Sequence, residues 1–416
     1  MFQLRKYKRL FENILSLSIL QLLNLVLPLI VLPYLMKVVG KANYGSYAVA
    51  YSIVQYIVLV SAYGFGFSVT RQISQNRENR NKLITIFSST IIARVLLALA
   101  VTIPLFTVAY YIFGKEYAFM TLMGMGIVLG DILNPVWLYQ GMENMKFMTI
   151  VNFFSKFFST LLVFIIIRRS DDYIYIIAMD SVGYLLAGTI SFIMALKVFN
   201  INFCVPGIND IIYQLKDGWY IFWSTIFMTL YRSSNIFILR FFVSDAAIGV
   251  YAGAEKVIKA GQAIGSPIST ALFPNLSASF KTHTIQENLT TLAKTLKLMS
   301  GVLGCITICI FVFSPMINNI LLNGEQDGTI TLIRIMTPVI IIGGLNYILG
   351  IVGLINLGGQ KAFFKNVMVS GFISIVFLLS TVSFIGNISA GISMGVAEIG
   401  LFIMCCYSLN KIKNKS

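Results

Sequence analysis

Residues 33–71 read PYLMKVVGKANYGSYAVAYSIVQYIVLVSAYGFGFSVTR. The apolar run that reaches Met36 gives way to Lys37, Gly40, Lys41 and Asn43, and residues 44–67 then carry no charge. At about 1.5 Å per residue such a helix covers the roughly 30 Å hydrocarbon core once, with a break at each surface. Arg71 follows beyond the Gly64-Phe65-Gly66 turn. The same alternation fills the chain. Twelve apolar runs lie near 14–36, 44–67, 83–113, 117–139, 149–167, 173–196, 218–243, 247–273, 292–322, 329–357, 367–385 and 388–409. The third, ninth and tenth exceed the bilayer requirement, and Pro104, Pro315 and Pro338 mark where they are expected to kink.

Composition agrees. With 57% hydrophobic and 11% charged residues in 416, a soluble fold would lack polar surface to cover its core, so the chain is a polytopic membrane protein. The net charge of +15 sits in short loops between spans, which reads as a topology signal and excludes a nucleic-acid-binding face. One side collects Arg5, Lys6, Lys8, Arg9, Arg71, Arg77, Arg80, Lys82, Lys146, Lys197, Lys216, Lys281, Lys361, Lys365, Lys411, Lys413 and Lys415. By the positive-inside rule that side is cytoplasmic and holds both termini. The basic start resembles a secretory signal, but no small-residue cleavage pattern follows and Pro28 and Pro33 interrupt the run, so it reads as a retained first helix.

Several chemistries are excluded. Cys204, Cys305, Cys309, Cys405 and Cys406 are odd in number and mostly within spans, which argues against a disulfide framework. His283 is the sole histidine, and no phosphate-binding Gly-rich lysine loop occurs, so neither a histidine-rich zinc site nor ATP hydrolysis is expected. No cofactor is implied.

The halves repeat. Gly45, Tyr47, Ala48 and Ala50 recur at Gly249, Tyr251, Ala252 and Ala254, and Leu35 maps onto Leu239. Both copies open the second span of a six-span block. Blocks with an even number of spans enter from the same side, giving parallel repeats about the membrane normal. The expected organisation is an all-α membrane protein of two six-helix lobes, 1–196 and 218–416, around a central cavity, joined by a cytoplasmic linker, 197–217.

Charges inside the spans are the candidate site. The cations are Arg94, Lys156, Arg232, Arg240, Lys256, Lys259 and Arg334, and the anions are Asp131, Asp180, Glu255 and Glu398. Hydrocarbon disfavours each cation by about 2.5 to 3.5 kcal/mol or more, so the set must face water, an anion or one another. The seven-to-four excess points to a chamber tuned to an anionic cargo. Arg240, Arg334 and Lys156 lie nearer span ends and either snorkel or line that chamber. Arg94, Arg232, Lys256 and Lys259 lie deeper and either face it or pair with the four acids. Glu255 and Lys259 stand one turn apart. Glu398 and Asp131 suit proton or sodium sites as well as charge pairing. Trp219, Tyr220, Trp223 and Tyr231 are placed to meet a sugar or an isoprenoid chain if the seventh span lines the cavity. Gly261 with Gly265, and Gly391 with Gly395, are spaced for close helix contact.

The stretch 33–71, with Tyr63-Gly64-Phe65-Gly66 followed by Thr70-Arg71, resembles Wzx-type polysaccharide flippases. Asn134-Pro135-Val136-Trp137-Leu138-Tyr139-Gln140-Gly141 and Gly249-Val250-Tyr251-Ala252 extend the similarity over nearly the whole chain. These flippases belong to the multidrug/oligosaccharidyl-lipid/polysaccharide (MOP) exporter superfamily, with the MATE multidrug exporters and the lipid II flippase MurJ. The resemblance implies a transporter, not an enzyme. Its cargo would be an undecaprenyl-diphosphate-linked oligosaccharide moved by alternating access from the cytoplasmic to the outer leaflet of a bacterial inner membrane. Its partners would be membrane lipids, the polysaccharide polymerase and chain-length machinery, and a coupling proton or sodium ion. The alternatives are an ion-coupled multidrug exporter, whose organic-cation cargo the cationic excess disfavours, a flippase for teichoic acid or lipid II, and a membrane glycosyltransferase or polymerase, for which the loops are short.

Overall fold

The structure is a computed structural model that describes residues 27–282, 284–322, 324, 328–355, 357 and 359–414, with the side chains of 220, 224, 227, 228, 230–233 and 264–282 left aside. The first run therefore enters at α1 (Leu27–Val38), its earlier half lying outside the described residues. There follow α2 (Gly40–Ala62), α3 (Phe65–Gln75), α4 (Arg80–Val108), α5 (Lys115–Met123), α6 (Met125–Leu133), α7 (Val136–Gly141), α8 (Lys146–Ile166) and α9 (Ile176–Val198). Then come α10 (Ile208–Ser233), α11 (Asn235–Leu239), α12 (Asp245–Thr282), α13 (Ile285–Val312), α14 (Ser314–Leu321), α15 (Thr329–Met336), α16 (Pro338–Tyr347), α17 (Gln360–Ile385) and α18 (Ile388–Lys413). No strand occurs among the described residues, and nine of their helical stretches are long and apolar enough to cross a membrane. The chain forms two compact units, Met1–Ile226 and Phe227–Ser416. Its fold is the all-helical, roughly twelve-span architecture expected. Within 197–217, read as the linker, α10 begins at Ile208 and continues unbroken into the seventh run.

The long runs break where their sequence weakens the helix. Pro104 sits within α4, which passes into a π turn at Ala109–Phe113; Pro315 is second in α14 and Pro338 first in α16, within the opening turn where a missing N–H costs nothing. The fourth run is cut twice, at Gly124 and at Asn134-Pro135.

One helix, α8, has the reverse of a soluble helix's polarity. On α8 the buried positions are Met148, Thr149, Asn152, Ser155, Ser159 and Val163, at helical spacing, while Phe153, Phe154, Phe157, Phe158 and Phe164 are exposed. In lipid the aromatic face needs no cover, and small or hydrogen-bonding groups make the interhelical contact. Unit 1 takes this furthest where α6 meets α9. A Cβ on Gly188 would stand 2.2 Å from the Gly130 carbonyl oxygen, and one on Gly130 would stand 2.3 Å from that of Tyr184. In unit 2, α17 and α18 are tied by Ser374 Oγ donating to the Ser393 carbonyl at 3.0 Å and by Ser370 to that of Ala397. Of the glycine pairs read from the sequence, Gly391 abuts Leu332 and Met336 and Gly261 abuts Ile310 and Ile340. Gly395 faces open space, and Gly265 is among the side chains left aside.

Candidate functional site

The conserved spacing of the repeat appears as structure. The helix carrying the first copy starts at Gly40 and that carrying the second at Asp245, one residue from the 204-residue offset, and Leu35 and Leu239 are both buried. In unit 1, the Tyr47 hydroxyl donates to Asp180 Oδ2 of α9 at 2.7 Å. Tyr44, Tyr47 and Tyr51 form a ladder along α2, with ring centroids 5.7 and 5.8 Å apart. Tyr51 is hydrogen-bonded to Tyr184, over whose ring Lys156 Nζ lies at 5.6 Å. Asp180 is the carboxylate with which Lys156 interacts.

Arg94 lies fourteen residues into α4, roughly 21 Å along the helix. Its Nη1 donates to the Asp131 carbonyl at 2.9 Å and its Nη2 to the Asp131 carboxylate. The guanidinium side chain is 5% exposed and that of Asp131 31%. The aspartate, more than the arginine, therefore meets accessible space.

In unit 2, Glu255 and Lys259 form the pair their spacing allows, Oε1 to Nζ 3.1 Å, with the carboxylate buried and the lysine 41% exposed. Tyr251 donates weakly to Glu255 at 3.4 Å and accepts from Asn235 Nδ2 at 2.8 Å. Lys256 is half-buried beside them. Arg240 Nη1 stands 3.6 Å from Asp245. Exposed Arg334 donates to Ser314 Oγ at 2.9 Å and caps the Phe311 ring at 5.3 Å. Glu398 is buried against Asn346, whose Nδ2 reaches its Oε2 at 2.6 Å. The side chain of Arg232, with those of Tyr220 and Tyr231, lies outside the described residues; Trp219 and Trp223 are exposed and pack edge to face.

Four of the seven cations thus stand against carboxylates. For Arg94 the pairing alternative is what the geometry contains, because α4 and α6 bring an aspartate within reach of a buried guanidinium that has no other charged ligand there among the described residues. Sequence reasoning missed Tyr44, Tyr51, Tyr184 and Asn346. For Tyr44 and Tyr51 the signal was present as hydroxyls at helical spacing along one apolar run, and for Asn346 as an amide near Gly343 and Gly344 in another; Tyr184 stands on a third run with no such pattern.

The motif residues are architectural. Tyr63 and Gly64 both take left-handed backbone, φ 45° and 74°, and a Cβ on Gly64 would stand 2.6 Å from Ile221 Cγ2. Tyr63 stacks on Phe222 at 4.2 Å. Arg71 meets Asp217 at 2.7 Å, and Gln72 binds both Asp217 and Gln214, so α3 fastens the start of α10 within unit 1. Thr70 Oγ1 reaches the Trp137 carbonyl at 3.2 Å and Arg77 Nε the Gly141 carbonyl at 2.7 Å, joining the two motifs.

Comparison with known proteins fits this arrangement. Residues 10–280 match the model of a family described as "Polysaccharide biosynthesis protein". The chain belongs to that family. A protein of Escherichia coli (strain K12) named "Putative O-antigen transporter" is 23% identical over 390 residues, 93% of each chain. A Shigella dysenteriae protein of the same name is 28% identical over 268 residues, 64% of this chain and 67% of its own. Among solved structures, an inward-facing MATE family multidrug transporter of the MOP superfamily superposes with a TM-score of 0.71 at 13% identity, covering 96% of this chain and 99% of its own. The lipid II flippase MurJ, inward closed, gives 0.72 at 14%, covering 95% and 87%. The resemblance read from the sequence therefore agrees with the family match and with the fold of these two solved structures, and the chain is a multispan membrane protein.

Proposed function

We propose that the protein is a flippase that moves an undecaprenyl-diphosphate-linked oligosaccharide from the cytoplasmic to the outer leaflet of the bacterial inner membrane, for surface polysaccharide synthesis. Both termini lie in the cytoplasm, and the cargo passes by alternating access along a wet, cationic path while its isoprenoid tail remains in lipid. The observation that carries this reading is Lys259: fourteen residues into α12 it is 41% exposed, with its counter-ion Glu255 buried behind it. An ammonium at that depth is stable only against water or an anion, and a diphosphate supplies the anion. Lys256, one turn away, and Arg232 on α10 join it as cargo ligands, and the relatives' names agree with a saccharide cargo.

The test is a host whose surface polysaccharide depends on this protein. Lys256→Ala with Lys259→Ala, and separately Arg232→Ala, are expected to lower surface polymer at least tenfold at unchanged protein level in the membrane. Normal polymer in both strains defeats the reading. Drug efflux that survives in them while polymer is unaffected supports an exporter instead.

A further inference from the structure

Four cations of the spans can be followed to a carboxylate: Arg94, Lys259 and Arg240 stand against Asp131, Glu255 and Asp245, and Lys156 interacts with Asp180. Arg334 differs. Among the described residues no carboxylate lies within ion-pair distance of it, and its contacts are a hydroxyl and a ring. Both aim the group without neutralising it. Ser314, fully buried at the first position of α14, gives its one proton to the Phe311 carbonyl at 2.8 Å, so toward Arg334 Nε it can only accept, at 2.9 Å. The guanidinium carbon then lies 5.3 Å from the centre of the Phe311 ring. The N–H donors on Nη1 and Nη2 are left with no acceptor among the described residues.

The surroundings are apolar and outward-facing. Of the nine long apolar stretches among the described residues, α13 is the least buried. At its end Phe311, Val312 and Phe313 are exposed, as are Met316 and Ile320 on α14 and Arg334 itself. Neither α14 nor α15 carries another charge, and Glu325 and Asp327, between them in the chain, lie outside the described residues. Arg334 is the sixth residue of α15, about 8 Å along the helix from its start. With that start at the membrane surface, the guanidinium stands near the level where hydrocarbon gives way to headgroups.

A guanidinium displayed among side chains that face acyl tails is unfavourable unless an anion meets it, and an aromatic face supplies no counter-charge. We propose that Arg334, held in place by Ser314 and Phe311, binds the phosphate of a membrane lipid whose chains lie along the exposed apolar edge of α13 and α14. The two Nη groups form a planar fork that matches two phosphate oxygens, and the edge beneath matches hydrocarbon, so one ligand satisfies both. This places Arg334 on the lipid side of unit 2, as a receptor for a lipid and not as a wall of the cargo chamber. It makes no use of Arg232, Lys256 or Lys259, so it stands or falls apart from the cargo reading.

The experiment uses the full chain purified in uncharged detergent at fixed ionic strength. Melting temperature is followed on adding phosphatidylglycerol, undecaprenyl phosphate, the uncharged diacylglycerol with the same acyl chains, or inorganic phosphate. The proteins are wild type, Arg334→Gln, Arg334→Lys and Lys115→Gln, the last removing an exposed cation in unit 1. A lipid phosphate bound by the folded state raises the melting temperature of wild type above the diacylglycerol value, by about 3 °C at large excess. Lys115→Gln keeps that increment, Arg334→Gln loses it, and Arg334→Lys, a point charge without the fork, keeps part of it. Because the increment is read within each protein, a lower starting stability in Arg334→Gln does not imitate its loss. The larger increment of the two lipids says whether the site takes bulk phospholipid or the isoprenoid carrier. As a second readout, phosphatidylglycerol with a photoreactive acyl chain crosslinks to α13 and α14, located by mass spectrometry, in wild type and not in Arg334→Gln. An increment in Arg334→Gln equal to that of wild type, one that diacylglycerol or inorganic phosphate reproduces in wild type, or crosslinks indifferent to the substitution, overturns the proposal.

Discussion

The two copies of the Gly-x-Tyr-Ala-x-Ala motif have diverged in what their tyrosine does. In unit 1, Tyr47 donates to Asp180 of another helix, 133 residues away, at 2.7 Å; in unit 2, Tyr251 donates to Glu255 of its own helix at 3.4 Å and accepts from Asn235 of α11 at 2.8 Å. The positions that hold Glu255, Lys256 and Lys259 in the second copy hold Tyr51, Ser52 and Gln55 in the first, 204 residues earlier. The first copy braces its helix to a carboxylate of another, and the second sets charge along one helix face. The same motif thus stands in two settings that differ by a few residues on a single helix face.

That contrast can be broken by measurement. The largest expected effect is Arg94→Met, which leaves Asp131 without its cation and costs about 3 kcal/mol, the low end for a broken buried pair because the aspartate is partly exposed. Thermal unfolding of the purified protein reads the loss, and adding Asp131→Asn should recover most of it. Next, Tyr47→Phe removes a hydrogen bond to a carboxylate and should cost about 1.5–3 kcal/mol, whereas Tyr251→Phe removes a long bond to Glu255 and the neutral acceptor of Asn235 and should cost about 0.5–1.5 kcal/mol. Equal losses in the two variants would erase the distinction between brace and display. Smallest in stability is Glu255→Gln with Lys259→Met, below about 1 kcal/mol because no buried charge is stranded and the ammonium is substantially exposed, although surface polymer should fall sharply in the same variant. A protein with both substitutions that unfolds early but still exports polymer would reverse the roles assigned to the two helices.

Much of the fold was legible in the chain because hydrocarbon demands continuous apolar helices, and the breaks at Pro315 and Pro338 follow from proline's missing N–H. The i, i+4 pairing of Glu255 with Lys259 was legible for the same reason, since both lie on one helix. Contacts between helices were not. Nothing in the spacing of Arg94 and Asp131, 37 residues apart, says that α4 and α6 adjoin, so counting charges could not say which cations stand against a carboxylate. Asn346 and the tyrosines escaped notice because uncharged polar groups barely disturb hydropathy, yet inside a membrane bundle they decide which carboxylates are satisfied. The glycine pairs misled in part: spacing along one helix is visible, but the surface it meets is supplied by another, and Gly395 meets none.

The contact of Gly130 with Gly188 carries a mechanical consequence. Where main chain rests on main chain there are no rotamers to yield, so α6 and α9 form a welded strut, unable to slide or roll past each other. Any change of shape that unit 1 undergoes in a working cycle has to be absorbed by softer seams elsewhere, and the nearest are the cuts in the fourth run at Gly124 and Asn134-Pro135.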